Sequence, residues 1–295
     1  MKIAISGSHG LIGSYIINEF RSNNHSVTRI VRSKKEIGIF WDPETNYINP
    51  NRLESQDVII NLCGDKISSL NPFKIKKDII IASRVGTSLL LSRIISELKN
   101  PPKYFISASA CGIYKPSTDV ITENSLYGSG FLAQLVLNWE EASRFYEMPD
   151  TKIVNLRLGQ VISQEGIFFK IMKNLVTYLK VSSIGPGSQY WPWISIRDVA
   201  GILNFIIESD YIEGPINIVS PQRVTAREFL RKLSKGTSSS RLFRVPNQII
   251  KIGANELASQ VLLNSYPVIP EKLQQNNYNF LDQDLSKVFD DLLKN

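Results

Sequence analysis

Residues 2–13 read Lys2-Ile3-Ala4-Ile5-Ser6-Gly7-Ser8-His9-Gly10-Leu11-Ile12-Gly13. A short apolar run enters three glycines spaced three apart, and an amphipathic stretch over residues 11–21 leaves them. That pattern predicts a strand, a tight turn and a helix in immediate succession. Gly7 permits the turn, Gly10 lets a diphosphate approach the backbone, and Gly13 lets the helix pack close to the sheet. A diphosphate there would meet the free N–H groups and positive end of the helix. The spacing is G-x-x-G-x-x-G rather than G-x-G-x-x-G. With a strand before it and a helix after it, the turn predicts dinucleotide binding by Gly7, Ser8, His9, Gly10, Leu11, Ile12 and Gly13.

Working outward, residues 26–31 form a second predicted strand. Its end decides which dinucleotide fits. An NAD site wants Asp or Glu there for the ribose 2′-hydroxyl. The chain has Arg32-Ser33-Lys34-Lys35, with no acid before Glu36. Arg32 suits a 2′-phosphate, which guanidinium binds in bidentate fashion, so the expected cofactor is NADP(H). Further strands are predicted at residues 58–62, 103–109, 152–158, 190–196 and 214–219, and helices at 75–98, 131–146 and 198–208. Alternating strands and helices predict an α/β fold, a Rossmann-type doubly wound parallel sheet, with a smaller α+β C-terminal lobe for substrate. Residues 1–220 are expected to be the dinucleotide-binding domain. A mainly helical domain over 245–294 is expected on the substrate side, beyond a polar joint at 236–240. Thr225 and Glu228 have the spacing of a capping box before a helix. Residues 246–263 and 282–293 also read as helical.

The 295 residues are 43% hydrophobic and 21% charged, an ordinary globular composition. The net charge of +7 comes from scattered basic residues, which reads as a solvated surface rather than a nucleic-acid face. Two cysteines are too few for a disulfide scaffold or a metal cluster and fit a reducing cytoplasm. No apolar run is expected to reach membrane-spanning length, because Arg84 breaks the richest one, and no signal peptide is seen. The expected partner is a small-molecule substrate, and no metal site is expected.

The chain resembles the extended short-chain dehydrogenase/reductases, the NAD-dependent epimerase/dehydratase superfamily. More narrowly, it resembles an atypical epimerase-like family with its own C-terminal domain of unknown function. The glycine turn carries the broad resemblance. Asn61-Leu62-Cys63-Gly64, Ser83-Arg84-Val85-Gly86-Thr87, Ile106-Ser107-Ala108-Ser109-Ala110, Phe131-Leu132-Ala133 with Trp139-Glu140, Gly187-Ser188-Gln189 with Trp193-Ile194, Gly214-Pro215-Ile216-Asn217 and Val268-Ile269-Pro270 carry the narrow one. It implies an NADP(H)-binding protein of epimerase type. Arg32 would meet the adenosine phosphate, Leu62, Cys63 and Gly64 would line the cofactor, and Arg84 would contact it. Ser195 stands where the family usually has His, and Ile113-Tyr114 where it often has two tyrosines.

Short-chain reductases move a proton with a tyrosine whose lysine lies four residues on, because a phenol needs a nearby ammonium to exchange its proton near neutrality. None of the eleven tyrosines here has lysine at that spacing. The nearest mimic is Tyr127, with Phe131 in the lysine's place, and flanking glycines put Tyr127 in a loop before the helix. Ser109, at the end of its strand, and Tyr114 are the candidate catalytic groups, with Glu123 and Glu140 as further proton carriers. Gln189, Trp191 and Trp193 follow a glycine-rich loop and are expected to wall a substrate pocket. Two function classes stay open: an NADP(H)-dependent oxidoreductase or epimerase acting on a small, sugar-like carbonyl or hydroxyl compound, and a non-catalytic NADP(H)-binding regulatory module.

Overall fold

The computed structural model describes residues 1–64, 77–234, 243–253 and 256–294. The polar joint expected at 236–240 lies outside them. Eight strands form the main sheet: β1 (Lys2–Ser6), β2 (Ser26–Val31), β3 (Ile39–Asp42), β4 (Tyr47–Ile48), β5 (Val58–Asn61), β6 (Tyr104–Ala110), β7 (Lys152–Leu158) and β8 (Gly214–Ile218). Their order is β8-β7-β6-β5-β1-β2-β3-β4. Every neighbouring pair is parallel except β3 with β4. The order reverses direction at β1, the switch point at which Rossmann-type sheets bind dinucleotides. Strands β3 and β4 escaped the sequence reading, being only four and two residues long.

Side-chain alternation gives the sheet two unlike faces. Ile3, Ile5, Val58, Ile60, Tyr104, Ile106, Val154, Leu156, Ile216 and Ile218 form an apolar face. It packs against helices α1 (Leu11–Ser22) and, later in the chain, Ile196–Glu208. The opposite face is apolar at Ala4, Ile59 and Phe105, where Leu90, Leu91, Ile94 and Ile95 cover it. Towards the C-terminal ends of the strands that same face turns polar.

The covering helix, α2 (Lys77–Ser96), has the length and composition to cross a membrane, with a mean hydropathy of 1.5, yet half of it is buried within the fold. This corrects the sequence expectation. Arg84 does not break the run, because it is itself buried in a π-helical turn, Ala82–Gly86. Beside α2 lies α3 (Phe131–Ser143).

The stretch expected as one strand over 190–196 is two. Tyr190–Trp191 pairs antiparallel with Val224–Thr225, and Trp193–Ser195 pairs parallel with Gln160–Ile162. Pro192 stands between them with no N–H to offer a ladder. Glu228 Oε2 accepts from the Thr225 amide at 2.9 Å, and Thr225 Oγ1 accepts from the Glu228 amide at 3.2 Å, which is the expected capping box. Residues beyond 245 have no core of their own among the described residues. Ile250, Leu285 and Phe289 join Phe169, Trp191 and Phe229. Leu273 and Phe280 close the sheet's apolar face, and Tyr266 and Val268 pack with Tyr114 and Leu135.

Candidate active site

The glycine turn is held from within. Gly7 has φ +69°, and a Cβ on it would lie 2.5 Å from the Leu62 carbonyl oxygen. A Cβ on Gly13 would lie 2.3 Å from the Gly7 carbonyl oxygen. Both positions are closed to any side chain. Gly10 differs: its backbone is ordinary, φ −74°, and an added Cβ would come no nearer than 3.2 Å to that oxygen. Gly10 caps α1 with no side chain of its own, which leaves the helix N-terminus open. Ser8 is buried, and its Oγ has no hydrogen-bond partner among the described residues.

Around this turn stand the other residues expected to meet a cofactor. Arg32 follows β2, is exposed, and makes no ion pair among the described residues. His9 Nε2 lies 2.9 Å from a Glu36 carboxylate oxygen, so the first acid after β2 is tied to the turn. Past β5, the Cys63 amide donates to Asn61 Oδ1 at 3.2 Å. The Arg84 guanidinium reaches Gly64, where an added Cβ would meet it at 3.1 Å, and it lies 5.4 Å from the Trp139 ring. Arg84 sits in the π-helical turn Ala82–Gly86, a feature frequent at functional sites. Leu11 and Ile12 begin α1, with Ile12 leaning on the sheet's core.

The polar part of the sheet is organised in two rows. Parallel register aligns Ser6, Asn61, Ser107 and Asn155 across β1, β5, β6 and β7. Two residues further along, it aligns Ser109, Arg157 and Asn217 across β6, β7 and β8. Buried polar groups must find partners. Asn61 accepts from Ser6 Oγ at 2.7 Å and donates to Ser88 Oγ at 2.9 Å, which also accepts from Trp139 Nε1 at 3.0 Å. Asn155 donates to Ser143 Oγ at 2.8 Å. The first row thus fastens the sheet to α2 and α3.

The second row centres on Arg157, which is wholly buried. Its Nε and Nη2 donate to Glu140 Oε1 and Oε2 at 2.8 and 2.9 Å. Nη1 donates to Tyr114 Oη and to the Glu123 carbonyl, each at 2.9 Å, and Nη2 also donates to Tyr127 Oη at 3.3 Å. A guanidinium has five N–H donors, and all five are used. Burial opposes the charge, but the hydrogen bonds and charges of Glu140 and Tyr114 outweigh it and hold the guanidinium above its ordinary range.

Sequence reasoning missed Arg157 and Asn217. The available signal was Asn155 and Arg157 inside Ile153–Leu158 and Asn217 between Ile216 and Ile218, since strands of a covered parallel sheet read as near-continuous hydrophobic runs.

The two candidate catalytic hydroxyls lie inside this network. Ser109 Oγ donates to Glu140 Oε1 at 2.5 Å. Tyr114 Oη donates to Asn217 Oδ1 at 2.5 Å, and burial pushes its phenol well above the ordinary tyrosine range. Glu140 is a buried ion-pair partner rather than an exposed helix charge. Glu123 Oε1 accepts from the amides of Asn217 and Lys272 at 3.1 and 3.3 Å, while Oε2 has no partner among the described residues. Burial raises the Glu123 carboxyl.

The expected pocket wall is core. Trp191 and Trp193 are buried, and their indole N–H groups donate to the carbonyls of Leu262 and Gln222 at 3.1 and 2.8 Å. Gln189 Nε2 donates to the carbonyls of Ile184 and Leu262, each at 2.9 Å. Both tryptophans belong to one buried cluster, in which Trp191 meets Phe168 and Phe229 rather than a cleft. Ser195, in the place of the family's usual His, caps the helix Ile196–Glu208 by accepting from the Asp198 amide at 3.0 Å. Among the described residues no cluster could hold a metal ion.

The epimerase family protein Mb2239 of Mycobacterium bovis is 32% identical over 281 residues, covering 94% of this chain and 93% of that protein. The crystal structure of the human epimerase family protein SDR39U1 with NADPH superposes with a TM-score of 0.90 at 27% identity, covering all of both chains. A nucleoside-diphosphate sugar epimerase from Corynebacterium glutamicum gives a TM-score of 0.79 at 27% identity, covering 99% of this chain and 58% of that one. The NAD-dependent epimerase/dehydratase family model matches residues 3–218, from the first strand through the last strand of the sheet, and this chain belongs to that family.

Proposed function

We propose that this chain is an NADP(H)-binding, epimerase-like oxidoreductase that acts on a small, sugar-like carbonyl or hydroxyl compound in the cytoplasm. The observation that carries the cofactor is Ser8 Oγ, a buried hydroxyl without a partner in a turn at an uncapped helix N-terminus. A buried polar atom without a partner is costly, and a diphosphate oxygen there would accept its proton. Gly7 to Gly13 would hold the diphosphate, Arg32 the 2′-phosphate, and Leu62, Cys63, Gly64 and Arg84 the middle of the cofactor. When bound, the cofactor supplies or takes up a hydride. NADPH in the crystal structure of the human relative and the sugar-nucleotide name of the bacterial one support the assignment. Fluorescence titration with NADPH and NADH tests it. Tighter NADPH binding is expected, and equal dissociation constants would overturn it.

One observation favours the non-catalytic module instead. Ser109 and Tyr114 both spend their protons inside the protein, on Glu140 and Asn217. A protein that binds NADPH yet reduces no carbonyl compound would establish that reading.

A further inference from the structure

The positive charge that reads as scattered along the sequence gathers in space. Residues 166–190 and 222–253 hold eleven of the 34 Lys and Arg but only one of the 27 Asp and Glu, a net +10 in a chain of +7. That one acid, Glu228, is engaged by Thr225 in the capping box. The two segments share a core, since Phe169, Val181, Phe229 and Ile250 pack in one cluster. Lys170 and Lys232 pair with Glu165 and Asp284. Lys180, Arg223, Arg227, Arg231 and Arg244 make no ion pair among the described residues.

Three large apolar side chains stand out from the same lobe. Tyr178, Leu179 and Phe243 are 76%, 63% and 63% exposed. Strand pairing keeps them together. Strand Phe243–Val245 runs parallel to strand Val181–Ile184, and the Phe243 amide donates to the Lys180 carbonyl at 2.6 Å. Leu179 and Tyr178 immediately precede Lys180. The loop after Ile184 ties down two exposed arginines beside them. Arg244 Nε donates to the Gly185 carbonyl at 2.8 Å, and Arg227 Nη2 donates to the Pro186 carbonyl at 3.1 Å. Neighbouring carbonyls thus anchor both guanidiniums, whose other N–H groups have no acceptor among the described residues. Arg231 is exposed one turn further along the helix Ala226–Ser234.

We propose that this edge of the lobe docks on an anionic lipid surface. Arg227, Arg231 and Arg244 meet lipid phosphates, which guanidinium binds in bidentate fashion. Tyr178, Leu179 and Phe243 enter the boundary between headgroups and acyl chains, where apolar side chains leave water. Charge complementarity and exposed apolar surface each point to this occupant. A nucleic acid satisfies arginines and stacks its bases on aromatic rings, but it offers Leu179 no apolar medium. A bilayer surface takes both kinds of side chain at once. Docking of this kind needs no membrane-spanning helix.

Co-sedimentation with vesicles tests this on the full chain. Vesicles of two parts phosphatidylcholine to one part phosphatidylglycerol should sediment the protein at roughly 0.1 M salt, and phosphatidylcholine alone should not. Arg227→Glu/Arg244→Glu should weaken binding at least about tenfold. Leu179→Ser/Phe243→Ser should weaken it at least about fivefold at an unchanged melting temperature, because the removed side chains are exposed. Failure of the wild type to bind the anionic vesicles overturns the proposal, as does unchanged binding by either double variant.

A Phe243→Trp variant reads entry into the bilayer without relying on a loss. Its emission should shift to the blue on addition of anionic vesicles and be quenched by brominated lipid beyond the wild-type background. Sedimentation without that quenching overturns the proposed docking face. A single-stranded RNA that binds more tightly than the vesicles and displaces the protein from them would assign the surface to nucleic acid, and also overturns the proposal.

Discussion

Ser109 Oγ donates to the same Glu140 oxygen that accepts from Arg157 Nε, so one buried carboxylate joins the end of β6 to the middle of the second polar row. A pair like this is expensive to break on one side only. Glu140→Leu leaves a buried guanidinium unpaired and should destabilise the fold by about 3–5 kcal/mol. Arg157→Met/Glu140→Leu should cost less than the two single substitutions added together, a coupling that urea denaturation reads directly. Additive losses would show that the two charges do not support one another.

Arg32→Glu should abolish or reverse the preference for NADPH. Losing one charge-assisted phosphate contact costs about 1.5–3 kcal/mol, or roughly 10- to 150-fold in affinity. Titration of both cofactors against the variant measures it. An unchanged preference would move the 2′-phosphate away from Arg32.

The three glycines of the turn should separate cleanly. Gly10→Val should keep the fold and lose NADPH, because its backbone is ordinary and its Cβ would meet only the Gly7 carbonyl oxygen, at 3.2 Å. Gly13→Ala should lower the melting temperature, since its Cβ would sit 2.3 Å from a carbonyl oxygen. Melting curves and NADPH titration on both variants distinguish packing from binding.

Phe131→Lys restores the tyrosine–lysine spacing on paper and should restore no chemistry. Tyr127 lies in the loop, so the two positions do not share a helix face. The Phe131 ring also carries the Lys77 ammonium 4.4 Å from its centroid. A second ammonium replaces that attraction with repulsion, and the loss should be about 0.5–2 kcal/mol. A stable variant with carbonyl reduction well above wild type would overturn this placement.

Glu123 makes stability depend on pH. Its carboxyl is raised by burial, so the unfolded chain ionises first as pH climbs. Stability is therefore lost upward from about pH 4.3, the ordinary glutamate value, until the folded carboxyl has also ionised. Glu123→Gln keeps an oxygen for the two amides and removes the charge. Its urea midpoint should match wild type near pH 4 and exceed it at pH 7. The same difference at both values would assign the effect to packing.

The parts of this protein that local chemistry dictates were readable from its sequence. The Gly7–Gly13 turn, the Thr225–Glu228 box and the loop placement of Tyr127 each depend on residues within a few positions of one another. What stayed hidden depends on register between distant strands. Nothing near Arg157 in sequence announces Glu140, Tyr114 and Tyr127, and only the parallel pairing of β6, β7 and β8 brings Ser109 and Asn217 beside it. Trp191 and Trp193 were misread for a related reason. Alternation tells which side chains share a face, but what the face meets is set by Phe168 and Phe229, contributed by helices on either side in the chain.

The segment beyond residue 245 supplies Phe289 to one core, Phe280 to a second and Tyr266 to a third. Glu123 likewise waits for the amide of Lys272, 149 positions later. During synthesis the sheet strands leave the ribosome long before these residues, so pairing can begin while apolar surface lies open on three sides. Some of the closing contacts, Glu123 with Lys272 among them, are also distant in sequence, which makes them slow to form. A chain cut before residue 245 would expose apolar surface of all three clusters at once, a natural client for chaperones and proteases, so these distant residues act as the fasteners of the folded form.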